Sequence, residues 1–247
     1  QQGRPAMGSL SHRRFQRPGH IQPDKGGPGG ILKHLPERLL LLKKHSVVAR
    51  NQRHDRVMIC EPSLHDEPAA GAGRTGQFGG VQKGGTTFLA SILAAHPGIV
   101  MPEMKEPHWF DNDERYAHGL PPPDRYHALY GDPTSVRLWG DATPTYWWWP
   151  PAPARIRDYH PGIRWILLLR DPASRAYSHW NMERKRGRET LGFREALAAE
   201  DERMRRATMH ESRAYSYMSR GYYARQLARL WTQFPREQTL VLRRDWL

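Results

Sequence analysis

The sequence predicts an α/β fold, a doubly wound parallel sheet flanked by helices, and three observations carry that expectation. From about Phe78 onward, short apolar runs alternate with stretches of helical spacing. One segment, Arg164-Trp165-Ile166-Leu167-Leu168-Leu169, is continuously apolar after its arginine, as suits the centre of a parallel sheet covered on both faces. A third stretch, Lys83-Gly84-Gly85-Thr86-Thr87, runs directly into a helical segment and has the character of a phosphate cradle.

The elements follow in order. Phe78 to Val81 is placed as a strand by its position before the loop, since Gly79 and Gly80 dilute its propensity. A helix then carries Phe88, Leu89, Ile92 and Leu93 on one face and stops at His96-Pro97. Gly98 to Met101 and Val136 to Trp139 read as short strands, separated by a polar, aromatic loop from Lys105 to Tyr130. After the strand at 164–169 come helices near 173–186, 193–207 and 222–234, then a last strand at Thr239 to Leu242. Residues 1–75 differ: Gly, Pro, Arg, His and Gln dominate, and only Leu32, Leu35, Leu39 and Leu42 suggest a short amphipathic helix. That segment has too little apolar surface to offset chain entropy, so it reads as a basic, poorly ordered extension to a domain at 76–247.

The chain has 247 residues and a formal charge of +13. Such a charge favours polyanionic partners: nucleic acid, anionic glycans, phosphorylated cofactors or membrane surfaces. Cys60 is the only cysteine, which excludes an intrachain disulfide framework. The longest apolar runs, such as Leu39 to Leu42, fall far short of the roughly 18 residues of a transmembrane segment. With no signal-peptide pattern at the N-terminus, the expectation is a soluble, cytoplasmic protein.

Four stretches carry chemistry. In the first, Gly84 and Gly85 let the backbone approach an anion, the first-turn amides point at it, and Lys83 adds a full charge. Its lysine precedes the glycines, unlike the GxxxxGK[ST] nucleotide loop, and a simple turn with an N-cap is the plain alternative. In the second, Leu169-Arg170-Asp171-Pro172 delivers Arg170 at the end of a buried strand, with Ser178 two turns along the next helix. A planar guanidinium fork and a hydroxyl suit a phosphate, although an arginine closing a strand needs no ligand. In the third, Lys105-Glu106-Pro107-His108-Trp109-Phe110-Asp111, a carboxylate and an imidazole two residues apart suit a general base and its partner. In the fourth, Gly140-Asp141-Ala142-Thr143-Pro144-Thr145-Tyr146 leads into Trp147-Trp148-Trp149, which suit either a sugar platform or the core. The histidines are scattered, without metal-ligand spacing.

Taken jointly, KGGTT at 83–87, His96-Pro97, KEPHWFD at 105–111, TPTY at 143–146, LRDPASRAYSHW at 169–180 and RGYYARQL at 220–227 resemble the sulfotransferases that use 3′-phosphoadenosine 5′-phosphosulfate (PAPS). The resemblance takes in bacterial sulfotransferase-domain proteins and the heparan sulfate 3-O- and N-sulfotransferases. It implies a P-loop-like fold and binding of the 5′-phosphosulfate by Lys83, Gly84, Gly85, Thr86 and Thr87. It further implies that Arg170 and Ser178 hold the 3′-phosphate, and that Glu106 is the catalytic base with His108 and Asp111 in support. The acceptor would be a hydroxyl of a small molecule or carbohydrate, with neither metal nor nucleic acid required. Lys83 would neutralise charge on the leaving phosphate.

This chain departs from the heparan 3-O enzymes at Thr87, where they have arginine, and at Ala142, where they have lysine, which argues against heparan as acceptor. The family also continues beyond the last strand with a helix and a basic loop over the nucleotide. The expectation is therefore a domain incomplete at its C-terminus, binding its donor weakly. Two other readings stand beside this one: a nucleotide-dependent kinase, and a basic protein binding nucleic acid or an anionic surface through residues 1–75.

Overall fold

The computed structural model describes residues 74–131 and 138–246, so the 1–73 segment with its expected amphipathic helix lies outside the described residues, as do Val136 and Arg137. Within them the chain forms a five-stranded, wholly parallel sheet from β1 (Arg74–Gly80), β2 (Ile99–Val100), β3 (Leu138–Asp141), β4 (Arg164–Leu169) and β5 (Thr239–Arg243). The strand order is β2-β3-β1-β4-β5.

The poorest strand of the sequence therefore occupies the centre. β1 is held by ladders on both sides, with Gln77 opposite Asp141 of β3 and Trp165 of β4. Pairing in context overrides the weak propensity of its glycines. It also starts earlier than expected and ends at Gly80, so Val81 already belongs to the loop, although its amide still donates to Leu168 O at 3.1 Å. From β1 the chain goes out to β2 at the edge, returns to β3 beside β1, then crosses to β4 on the other side of β1. The crevice at such a switch point, outside the carboxyl ends of the strands, is where open α/β sheets bind ligands. Three of the four stretches picked out above leave the sheet at that edge, after Gly80, Asp141 and Leu169.

Eight helices connect the described strands: α1 (Thr86–Ala94), α2 (Asp113–Tyr116), α3 (Pro123–His127), α4 (Ala152–Tyr159), α5 (Pro172–Lys185), α6 (Phe193–Arg206), α7 (Met209–Tyr215) and α8 (Tyr223–Leu230). Their ends follow local chemistry. Asp171 caps α5 by accepting from Ser174 N at 2.8 Å, Pro172 opens it, and Arg184 and Lys185 complement the dipole at its end. A capping box between Thr208 and Glu211 starts α7. On α6, Phe193, Ala196, Leu197 and Glu200 form the buried stripe. The loop expected at 105–130 contains α2 and α3, and α8 ends earlier than expected, at Leu230, while Phe234 still packs on Trp165 at 5.5 Å.

The face expected of α1 is not the buried one. Leu89 is buried, but Phe88 and Ile92 are 58% and 51% exposed. The core lies instead under β4 and around a cluster that includes Phe110, Tyr126, Tyr146, Trp147 and Trp165. No helix among the described residues is long and apolar enough to cross a membrane.

Candidate active site

The anion loop is built by close backbone approach. Gly84 N donates to Val81 O at 2.7 Å, and a Cβ at Gly84 would lie 2.7 Å from that oxygen and 2.8 Å from Leu168 O. No side chain fits there. Gly85, the N-cap of α1, has φ 109°, open to glycine, and Lys83 has φ 70°. A left-handed non-glycine residue costs about 1–3 kcal/mol and persists where its surroundings enforce it. Phe88 and Leu89 donate to Gly85 O, whereas the amides of Gly85, Thr86 and Thr87 find no acceptor among the described residues. They form a ready anion site.

The charges that act most on Lys83 have one sign. Burial lowers the pKa of the half-buried Lys83 ammonium, and Arg186, Arg170, Lys105 and Lys185 lower it further. Lys83 has no carboxylate partner among the described residues. Arg170, at the end of β4, turns its guanidinium onto the loop, with Nη1 donating to Lys83 O at 3.0 Å. Burial lowers its pKa, Arg244 adds to this, and Asp171 and Tyr223 oppose it. Tyr223 Oη donates to Arg170 O at 2.8 Å, fixing the turn that follows the strand.

Lys105 joins the anion loop to the third stretch. Its Nζ donates to Thr87 Oγ1 at 2.7 Å and lies 3.1 Å from Glu106 Oε1. Glu106 and His108 flank Pro107 with φ 59° and 50°, two more left-handed residues in one turn. His108 spans two carboxylates, with Nδ1 2.9 Å from Asp111 Oδ2 and Nε2 3.9 Å from Glu106 Oε2. Asp111 is fully buried, and Arg213 Nη2 reaches its Oδ2 at 2.9 Å. The structure thus brings Lys83, Gly84, Gly85, Thr86, Thr87, Glu106, His108 and Arg170 to one edge of the sheet. Ser178 is half-buried about two turns along α5, and no hydrogen bond joins it to this group among the described residues.

Sequence reasoning passed over Lys105 and Arg220. A lysine next to a glutamate is usually a solvated pair, and nothing local reveals the Thr87 contact. Arg220 is buried, donates to Gln82 Oε1 at 3.0 Å beside the loop, and stands 4.1 Å over the Trp148 ring. Burial chiefly pushes its pKa down to about 9, with Arg175 and Arg213 adding and Asp111 and Glu106 opposing. Its only sequence signal was its place in RGYYARQL.

The tryptophan triplet is not a sugar platform. Trp147 and Trp148 are 1% and 8% exposed, and Trp149 Nε1 donates to Asp113 Oδ1 at 3.0 Å. A cleft of about 280 Å³ opens elsewhere, lined by Trp109, Arg115, His118, Leu120 and Arg125. The Arg115 guanidinium sits 3.9 Å over the Trp109 ring. Among the described residues no three His, Cys, Asp or Glu side chains gather as a metal site would require.

Over most of the described residues the chain is similar to known proteins. The family model of the sulfotransferase domain matches residues 79–245. Heparan sulfate glucosamine 3-O-sulfotransferase 5 of Mus musculus is 29% identical over 173 residues, covering 68% of this chain and 47% of that protein. Heparan sulfate glucosamine 3-O-sulfotransferase 3B1 of the same species is 32% identical over 167 residues, covering 66% of this chain and 39% of its own length. The chain thus spans less than half the length of these curated relatives. The crystal structure of a sulfotransferase from Alicyclobacillus acidocaldarius superposes with a TM-score of 0.61 at 33% identity, covering 70% of this chain and 74% of that one.

Proposed function

Because the chain belongs to the sulfotransferase domain family, we propose that its unit at 76–247 transfers a sulfuryl group from PAPS to an acceptor hydroxyl, with Glu106 as general base. One observation carries this reading: Lys105 bonds both Thr87, in the first turn behind the anion loop, and Glu106. A carboxylate is thereby placed beside a concentration of positive charge.

The residues suit the donor. The loop amides and Lys83 offer donors and charge for a phosphosulfate, and Gly84 keeps the backbone close enough to deliver them. Arg170 and Ser178 are assigned to the 3′-phosphate; Arg170 already touches the loop, so one small molecule can reach both cations. When bound, PAPS supplies the sulfuryl group. Glu106 takes the acceptor proton as the new oxygen–sulfur bond forms. Lys83 meets the charge that grows as the bond to the 5′-phosphate breaks, and 3′-phosphoadenosine 5′-phosphate leaves. His108, held by Asp111, sets the orientation of Glu106. Positioning and preorganised charge then supply most of the rate.

The acceptor is proposed to be a carbohydrate or other hydroxylated small molecule. Thr87 is exposed and bonded to Lys105, and Ala142 is buried, so neither supplies a glycan-binding cation. A cytoplasmic setting belongs to the same proposal.

Thermal unfolding with 3′-phosphoadenosine 5′-phosphate, ATP and duplex DNA in parallel tests the reading. The bisphosphate at 100 times its Kd adds about 2.7 kcal/mol, a rise of several degrees in Tm. Arg170→Ala is expected to abolish most of that rise. Stabilisation by ATP alone would indicate a kinase, and salt-dependent stabilisation by DNA alone a nucleic-acid-binding protein.

A further inference from the structure

Beneath the turn that carries Glu106 lies a buried carboxylate with no part in the chemistry above. Asp141, the last residue of β3, is fully buried. Its Oδ1 accepts from Thr143 Oγ1 at 2.7 Å, and its Oδ2 accepts from Tyr126 Oη at 2.9 Å and Tyr146 Oη at 3.0 Å. Tyr130 Oη donates in turn to Tyr126 Oη at 2.8 Å. Burial pushes the Asp141 carboxyl up to about 6, and the Asp111 charge adds to this, while the three hydroxyls oppose it. Three hydroxyls converge on its two oxygens, an arrangement that favours the carboxylate form.

An ionised carboxylate only accepts hydrogen bonds, so each hydroxyl must aim its proton at it. Tyr146 has one proton, which is committed to Asp141, and its oxygen faces the rest of the site as an acceptor. There it takes the buried amide of Trp109 at 2.8 Å. Trp109 directly follows the turn of Glu106, Pro107 and His108, whose two left-handed residues need outside support. Linked hydrogen bonds polarise one another in a dry interior, so the charge of Asp141 strengthens Tyr146 as an acceptor.

We propose that Asp141 is a positioning residue for the reaction: through Tyr146 it pins the Trp109 amide and so fixes the strained turn that presents Glu106. The proposal rests on Glu106 being the base, and the test separates the two. Tyr146→Phe removes one oxygen and keeps the ring, which packs edge-on to Phe110 at 5.5 Å. Asp141→Asn keeps the volume and turns one acceptor into a donor. Both are compared with Glu106→Gln, alone and combined, by hydrolysis of labelled PAPS with water as acceptor, and by titration with 3′-phosphoadenosine 5′-phosphate.

Tyr146→Phe and Asp141→Asn are each expected to slow hydrolysis by about 10- to 100-fold, the scale of a misplaced catalytic group, with nucleotide affinity unchanged. Added to Glu106→Gln, neither should slow it further, because both act through the base. Wild-type hydrolysis in Tyr146→Phe, or losses that multiply in the combined variants, would overturn the positioning role. Wild-type hydrolysis in Glu106→Gln would instead remove the base itself, and the proposal with it.

Discussion

Replacing Lys83 with methionine is expected to lower PAPS turnover by about 10²- to 10³-fold, the usual effect of removing one preorganised group at developing charge. Methionine keeps the length and apolar stem of the side chain and deletes only the ammonium. That ammonium is half-buried, is depressed by burial and by four neighbouring cations, and has no carboxylate partner among the described residues. Deleting a charge so placed relieves repulsion in the free protein, so Tm should hold or rise while turnover falls. The opposed directions distinguish a catalytic lysine from a structural one. Lys83→Arg should not restore the rate, since a planar fork cannot occupy the place of a compact ammonium. Single-turnover rates and thermal unfolding on the same preparations check both halves. A fall in Tm with unaltered turnover would assign Lys83 to the fold instead.

Glu106→Gln is expected to reduce turnover by about 10²- to 10⁴-fold, the range for loss of a general base. Glutamine preserves the shape of the turn and the acceptor oxygen for Lys105, which keeps its second bond to Thr87 at 2.7 Å. Affinity for 3′-phosphoadenosine 5′-phosphate should therefore stay as in the wild type. Calorimetric titration beside the rate measurement checks this split. Turnover retained in Glu106→Gln would place the base elsewhere, and a parallel loss of nucleotide affinity would make Glu106 a support of the anion loop.

Much of the fold was legible wherever one signal dominated. Arg164 to Leu169 reads as a buried parallel strand because its apolar run is unbroken, and Asp171-Pro172 announces α5 by its cap. The centre of the sheet was harder, since β1 draws its strand character from partners that lie far along the chain. α4 was hidden because Pro150-Pro151-Ala152-Pro153 looks like a loop, although Pro151 sits at the N-cap position of that helix, Pro153 lies in its first turn, and proline suits a first turn. Phe88 and Ile92 misled in the opposite sense, apolar at helical spacing yet facing outward. In the site, glycine and lysine at 83–85 announced a tight loop before a helix, because that chemistry is local. Lys105 and Arg220 did not, because their partners Thr87 and Gln82 lie at sequence distances that no pattern rule spans. The tryptophan triplet fitted either a ligand or the core until the burial of Trp147 and Trp148 decided it.

The account stands on a single donor gripped at two points, Lys83 and Arg170, whose nearness is shown by the 3.0 Å bond from Arg170 to Lys83 O. The most direct test titrates wild type and Arg170→Ala with 3′-phosphoadenosine 5′-phosphate and with adenosine 5′-phosphate, which lacks the 3′-phosphate. In the wild type, losing that phosphate should weaken binding by about 10-fold or more, the worth of a charge-assisted hydrogen bond. In Arg170→Ala the two ligands should bind alike, because the partner of the missing group is gone. If Arg170→Ala still prefers the bisphosphate as strongly as the wild type does, Arg170 does not hold the 3′-phosphate and the two-point grip is wrong.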